Sequence, residues 1–270
     1  MTNAPVRLLA LDLDGTLVDH HFQFSPRVKR AIAQAQADGV TVTLATGRSL
    51  VSIRPFAQAL DICGPLICYQ GGLIVDCGGR VLHRSALERR LAAQVIDFAQ
   101  ARNWHVTVYR DGEFYLSEYR RPAEFYHTLL NPEAHVVDDL RALLDQDPDK
   151  VLVIANDGGD GDRILADLRA RFDGQMAIFR SHELFVEANP PGVDKGAALA
   201  WVAQHLGVPQ AQVMAVGDQD NDTPMVAWAG VGVAMGNASP ACKAAADWIA
   251  PPFAQDGAAT AIERFVLKQN

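Results

Sequence analysis

The stretch Leu8-Leu9-Ala10-Leu11-Asp12-Leu13-Asp14-Gly15-Thr16-Leu17 decides how the chain is read. Over residues 6–11 only Arg7 interrupts an apolar run, the pattern of a strand buried on both faces of a parallel sheet. Two carboxylates spaced i, i+2 follow, and then a glycine. The C-terminal ends of such strands face the crevice where ligands of open α/β sheets bind. Acidic groups there are costly unless they hold a cation or do chemistry. A plain Asp-Gly turn after a strand has the same local signature, so the rest of the chain has to choose between the two.

Immediately outward, Ser25-Pro26 is a helix start, with Ser at the N-cap and Pro in the first turn, and Gly39 closes that helix. Residues 40–45, of which the first four are β-branched, read as a second buried strand, ending in Thr46-Gly47-Arg48-Ser49. Ser49 caps a helix to about residue 60. A third strand over residues 65–69 leads into Gln70-Gly71-Gly72, and a hairpin turns around Cys77-Gly78-Gly79. The pattern then changes. An amphipathic helix over 87–101 precedes strands at 104–109 and 113–117, short helices near 122–130 and 138–145, a strand at 150–155, a helix at 160–171 and strands at 176–180 and 184–187. Past Asn189-Pro190-Pro191-Gly192 the α/β alternation resumes. Asp194-Lys195-Gly196 opens a helix, and a buried strand over 212–216 ends in Gly217-Asp218-Gln219-Asp220-Asn221-Asp222. The expected fold class is α/β: a doubly wound, Rossmann-like parallel-sheet core from residues 1–84 and 187–270, with an inserted α+β domain over 85–186.

Composition bounds the function. With 270 residues the chain has room for one large domain or two smaller ones. A net charge of -8 argues against a nucleic-acid binder, but a metal and a few placed cations can still reverse the local sign for an anionic substrate. None of Cys63, Cys68, Cys77 and Cys242 forms a C-x-x-C pair, so they read as small buried hydrophobes in a reducing compartment. No signal-peptide pattern opens the sequence, and no apolar run approaches the length of a membrane span. The expectation is a cytoplasmic protein without nucleic-acid or membrane partners.

Four polar clusters sit at the ends or edges of the α/β half: Asp12/Asp14, Thr46-Gly47-Arg48, Lys195, and Asp218 with Asn221 and Asp222. Three of them follow an apolar strand directly, and strand ends on one edge of a parallel sheet converge. Carboxylates suit a hard cation such as Mg2+. A hydroxyl, an ammonium and backbone N–H groups suit phosphoryl oxygens. Together they point to Mg2+-assisted phosphoryl transfer.

Asp12-Leu13-Asp14-Gly15-Thr16-Leu17, Thr46 after its strand, Lys195, and Gly217-Asp218-x-x-Asn221-Asp222 resemble, in order and spacing, the four motifs of the haloacid dehalogenase superfamily. The long insertion between the second and third motifs, with the phrases Thr46-Gly47-Arg48, Gly192-Val193-Asp194-Lys195-Gly196 and Val233-Ala234-Met235-Gly236-Asn237-Ala238, is similar to the Cof-type sugar-phosphatase branch with its class IIB cap. The resemblance implies that Asp12 is the nucleophile and Asp14 the general acid and base. It implies a Mg2+ site from Asp12, the backbone carbonyl of Asp14, Asp218 and, directly or through water, Asp222. Thr46, Gly47, Lys195 and Asn221 would hold the phosphoryl group. Arg48 would touch phosphate or substrate, or form an ion pair in the core. His20 and His21 read as exposed loop residues. The family commonly has Asn-Gly-Ala where this chain has Gln70-Gly71-Gly72, which leaves that side chain's part open. The implied activity is a Mg2+-dependent phosphatase acting on a small phosphorylated metabolite, as a monomer or weak homodimer. A phosphomutase or phosphotransferase on phosphosugars, or a non-catalytic phosphometabolite sensor, are the alternatives.

Overall fold

The computed structural model describes residues 4–18, 21–130 and 133–267; His20 lies outside them. In chain order the elements are β1 (Leu8–Leu11), α1 (Pro26–Ala37), β2 (Thr41–Leu44), α2 (Leu50–Ala59), β3 (Leu66–Cys68), β4 (Leu73–Val75), β5 (Val81–Arg84), α3 (Arg89–Gln100), β6 (His105–Arg110), β7 (Glu113–Leu116) and α4 (Ala123–Leu129). There follow β8 (His135–Val136), β9 (Lys150–Ile154), α5 (Gly158–Phe172), β10 (Ala177–His182), β11 (Phe185–Asn189), α6 (Lys195–His205), β12 (Val213–Gly217), α7 (Thr223–Trp228), β13 (Val231–Ala234), α8 (Pro240–Ala245), β14 (Trp248–Ile249) and α9 (Gly257–Phe265). The chain divides into two compact units. One comprises residues 1–46, 54–82 and 194–270, the other residues 47–53 and 83–193.

The first unit is built on a five-stranded sheet in the order β14-β13-β12-β1-β2, parallel throughout. All four residues of β1, which lies between β12 and β2, are fully buried, as its unbroken apolar run requires. Caps set the helix starts. The Ser25 hydroxyl accepts from the Val28 N–H, Asp194 accepts from the Ala197 N–H, and Ser239 accepts from the Cys242 N–H. Register places Leu11 beside both Val216 and Leu44, so β1, β12 and β2 end level with one another. Asp12, Asp218 and Thr46 therefore emerge on the same edge.

The third strand foreseen from the sequence does not extend this ladder. β3 heads a separate three-stranded sheet, β3-β4-β5, and meets the end of β2 through an Ala45–Ile67 bridge, with the Thr46 N–H donating to the Ile67 carbonyl. At Gly64 the chain passes so close to β2 that a Cβ there would lie 2.1 Å from the Val42 carbonyl oxygen.

The second unit carries a six-stranded sheet in the order β10-β11-β9-β6-β7-β8. Its edge pair β7–β8 is parallel, because the chain returns through α4 before adding the two-residue strand. Asp111 and Gly112, both with positive φ, make the two-residue turn between β6 and β7. Helices α3 and α5 bury Leu91, Val95, Ile96, Ile164, Leu168 and Phe172 together with Val106, Val108, Val151 and Val153 of the sheet. This unit thus has a hydrophobic core of its own.

Candidate active site

The site in the first unit starts where β1 ends. The Asp12 N–H donates to the Val216 carbonyl, which continues the ladder one residue past the strand and aims the carboxylate off the sheet edge. Leu13 turns into the core and Asp14 is exposed. Gly15 has φ +85°, and a Cβ on it would sit 2.5 Å from Asp218 Oδ2, so both the turn and the approach of Asp218 require glycine.

Lys195, the first residue of α6, is 1% exposed, and its Nζ lies 2.6 Å from Asp12 Oδ1 and 2.5 Å from Asp222 Oδ1. Asp222 uses its other oxygen to accept from the backbone N–H groups of Asp218 and Gln219, each at 2.9 Å. Asp218 is held in turn by the Thr16 hydroxyl at 3.1 Å and the Gln219 side-chain amide at 2.8 Å. Asn237 reaches the same carboxylate at 3.4 Å while donating to the Gly15 carbonyl at 3.0 Å.

Among the described residues, Asp12, Asp218 and Asp222 form a buried group whose ligand oxygens all lie within 4.8 Å of one another; the Asp14 carboxylate is not in it. The electrostatics follow from this crowding. Burial, followed by repulsion from Asp222, pushes the Asp12 carboxyl well above its ordinary value despite the Lys195 ammonium. Asp218 is pushed up to about 7 by burial and then by Asp222. Burial alone would lower the Lys195 ammonium, but Asp12 and Asp222 outweigh it and the net shift is upward. Three close carboxylates with one ammonium carry an excess of negative charge, and oxygen donors of this kind fit a hard divalent cation.

Thr46, at the end of β2, is buried. Its N–H donates to the Ile67 carbonyl and its carbonyl accepts from the Gln70 N–H. Asn221 donates from Nδ2 to Gln70 Oε1 at 3.0 Å. Of the residues singled out in the sequence, Asp12, Lys195, Asp218 and Asp222 are therefore brought together, with Asn221 and Thr46 linked to one another through Gln70.

Gly47 and Arg48 fall in the second unit. There the Arg48 guanidinium donates to the Ser52 hydroxyl, and the Gly47 carbonyl accepts from Lys150 Nζ at 2.8 Å. Lys150 also pairs with Glu187 Oε2 at 2.8 Å, both side chains being 4% exposed, and Ser181 donates to the other Glu187 oxygen. His21 is exposed. Sequence reading missed Thr16, Gln219, Lys150 and Glu187 as partners, and it met Asn237 only as part of a phrase.

The family model described as haloacid dehalogenase-like hydrolase matches residues 9–262. The chain is 32% identical over 264 residues to 5-amino-6-(5-phospho-D-ribitylamino)uracil phosphatase YcsE of Bacillus subtilis, covering 97% of this chain and 96% of that one. It is 31% identical over 242 residues to the HMP-PP phosphatase of Serratia proteamaculans, covering 88% and 86%. Among solved structures, a haloacid dehalogenase-like hydrolase from Bacteroides thetaiotaomicron superposes with a TM-score of 0.83 at 29% identity, over 96% of this chain and 99% of that chain.

Proposed function

Because the chain belongs to the haloacid dehalogenase-like hydrolase family, we propose that it is a Mg2+-dependent phosphatase of small phosphorylated metabolites that works through an aspartyl-phosphate. The observation that carries this reading is the buried group of Asp12, Asp218 and Asp222 with Lys195 2.6 Å from Asp12. The names of the two phosphatase relatives, both referring to small phosphorylated compounds, support the substrate class.

Asp12 is the nucleophile: its carboxylate attacks phosphorus, and the ester oxygen leaves. Asp14, exposed where Asp12 is buried, protonates that oxygen and then takes a proton from the water that hydrolyses the acyl phosphate. Mg2+ would be held by Asp12, the Asp14 carbonyl, Asp218 and Asp222, and would supply charge neutralisation between an anionic nucleophile and an anionic phosphoryl group. Lys195 neutralises charge at Asp12 and fixes the carboxylate that attacks. Thr46, the Gly47 N–H and Asn221 hold phosphoryl oxygens, with Arg48 next to them in the chain. Residues 85–186 are assigned the part of the inserted class IIB cap that selects the leaving group, on family membership and on that segment's own core.

The test is phosphate release from a panel of phosphorylated metabolites with and without Mg2+. Turnover that needs Mg2+ and disappears in Asp12→Asn is expected. Accumulation of an isomeric phosphosugar in place of inorganic phosphate would make the protein a phosphomutase, and equal turnover by Asp12→Asn would remove the nucleophile's assignment.

A further inference from the structure

Between Thr46, the start of α6 and Asn221 runs a short segment, Tyr69-Gln70-Gly71, that none of the assigned roles uses. Three consecutive residues there have positive φ: Tyr69 at 50°, Gln70 at 58° and Gly71 at 111°. For the first two, L side chains resist this conformation. Such strain persists only where surrounding structure fixes it, and it concentrates at binding sites. Three surroundings fix it here. The Gln70 N–H is tied to the Thr46 carbonyl at 2.9 Å. Gly71 packs so tightly on α6 that a Cβ would come within 2.7 Å of the Ala198 Cβ and 2.8 Å of the Asp194 carbonyl oxygen. The Gln70 side chain is tied to Asn221.

That side chain is 1% exposed, and its two ends differ. Oε1 accepts from Asn221 Nδ2 at 3.0 Å. Nε2 is fully buried and has no hydrogen-bond partner among the described residues. A buried amide donor left unpaired is unfavourable, and native proteins keep few of them. Asn221, 9% exposed, uses one amide N–H on Gln70 and keeps a second N–H; its Oδ1, an acceptor, has no hydrogen-bond partner among the described residues. The amide pair therefore fixes one hydrogen bond between its members and holds further N–H groups next to residues of three separate motifs. A cluster of fixed N–H donors suits an oxyanion.

We propose that Gln70 is a phosphoryl-oxygen ligand of this site: Nε2 donates to the bound phosphoryl group, while Oε1 holds Asn221 in the orientation that presents its second N–H to the same group. The left-handed turn at 69–71 is what carries the amide there. This inference rests on the phosphatase reading for its ligand, but its test can be separated from that reading.

The probe is inorganic phosphate, with affinity measured by calorimetry on the Mg2+-loaded protein, and with turnover of p-nitrophenyl phosphate followed in parallel. Gln70→Met removes both hydrogen bonds without adding charge. Gln70→Glu keeps the acceptor for Asn221 but replaces the donor by an anion. Thermal unfolding reports whether each variant is folded. The expected result is a loss of phosphate affinity of roughly tenfold or more in Gln70→Met, the scale of one hydrogen bond to a charged group, and a larger loss in Gln70→Glu. Loss confined to Gln70→Glu, with Gln70→Met at the wild-type value, is charge repulsion and overturns the proposal. If Gln70→Met does not fold, Gln70→Asn replaces it: too short to hold Asn221 and reach the anion together, it is expected to weaken phosphate binding by a few-fold, and unchanged affinity overturns the proposal. A wild-type protein that binds phosphate through Gln70 but hydrolyses no monoester sinks the phosphatase reading and keeps this one. Full turnover with unchanged affinity in all folded variants does the reverse.

Discussion

Lys195 Nζ lies 2.6 Å from Oδ1 of Asp12, with 1% and 7% of the two side chains exposed, although the two residues are 183 positions apart in the sequence. The pair is not isolated, because the same ammonium reaches Asp222 at 2.5 Å. One cation thus serves two buried carboxylates, with a third, Asp218, beside them. The deficit of positive charge is built into the fold and makes the ammonium the main internal counter-charge.

Lys195→Met should therefore destabilise the metal-free protein strongly, by about 3–5 kcal/mol, the usual scale when one partner of a buried ion pair is removed. Mg2+ should recover part of that loss, since a ligand at a hundred times its Kd adds about 2.7 kcal/mol. Unfolding curves of wild type and variant, each with and without Mg2+, measure both effects. A variant as stable as wild type in the absence of metal would show that Lys195 is not needed as a counter-ion.

Asp12→Asn removes one of three crowded charges but leaves an oxygen that can accept from Lys195. The metal-free variant should unfold at the same or a higher temperature than wild type, because repulsion with Asp222 and Asp218 is relieved. The stabilisation it gains from Mg2+ should shrink. Turnover should fall by at least about a thousandfold, as expected for loss of a nucleophile. A variant with wild-type Mg2+ stabilisation would place the ion away from Asp12.

The sequence makes the elements around this site legible because each is announced locally. Apolar runs mark β1, β2 and β12, and Ser25, Asp194 and Ser239 cap the helices they precede. The carboxylates stood out because they follow those runs directly. What holds them did not. Thr16 and Asp218 are 202 residues apart, and no local pattern links them. Gln219 and Asn237 look like ordinary turn residues until Asp218 is placed against them. β8 is two residues long, too short for any periodicity, and the pairing of β3 with β4 instead of a longer ladder on β2 has no local signature. Gln70 read as a substitution of unknown meaning because its burial and its left-handed backbone are properties of the fold.

In the second unit, Tyr126 accepts at its hydroxyl from the backbone N–H groups of Arg120 and Arg121, at 3.0 and 3.1 Å, so its own proton is directed to His105 Nε2 at 2.9 Å. Burial, followed by the charge of Arg120, lowers the His105 imidazole to about 4. The folded state therefore stays neutral where the unfolded chain, near 6.5, has already bound a proton. The sign is fixed: stability present above pH 6.5 is lost as pH falls from 6.5 towards 4, by up to about 3 kcal/mol. Urea unfolding at pH 7, 5.5 and 4.5 should show a steeper loss for wild type than for His105→Gln. Parallel curves would rule out His105 as the source.

Lys150 and Glu187 sit on neighbouring strands, and sequence gives no sign of their pairing. Lys150→Met alone should cost about 3–5 kcal/mol, because Glu187 would remain buried without its ammonium partner. Adding Glu187→Gln should recover much of it. A double-mutant cycle by chemical unfolding measures the coupling, and additive losses would mean that the pair is not coupled.

Asp14 separates the two carboxylates of the opening motif most sharply. It lies outside the buried carboxylate group, is exposed, and would lend the metal only its backbone carbonyl, which substitution leaves in place. Asp14→Asn should therefore keep Mg2+ binding close to wild type, measured by calorimetry or by the metal-induced rise in unfolding temperature. Turnover should drop by at least about a hundredfold, the scale of a lost general acid and base. The drop should be smaller for esters with acidic leaving groups, such as p-nitrophenyl phosphate, than for alkyl phosphates, because a good leaving group departs without a proton. An equal drop for both would move Asp14 out of leaving-group protonation, and a collapse of Mg2+ affinity would make its side chain a metal ligand.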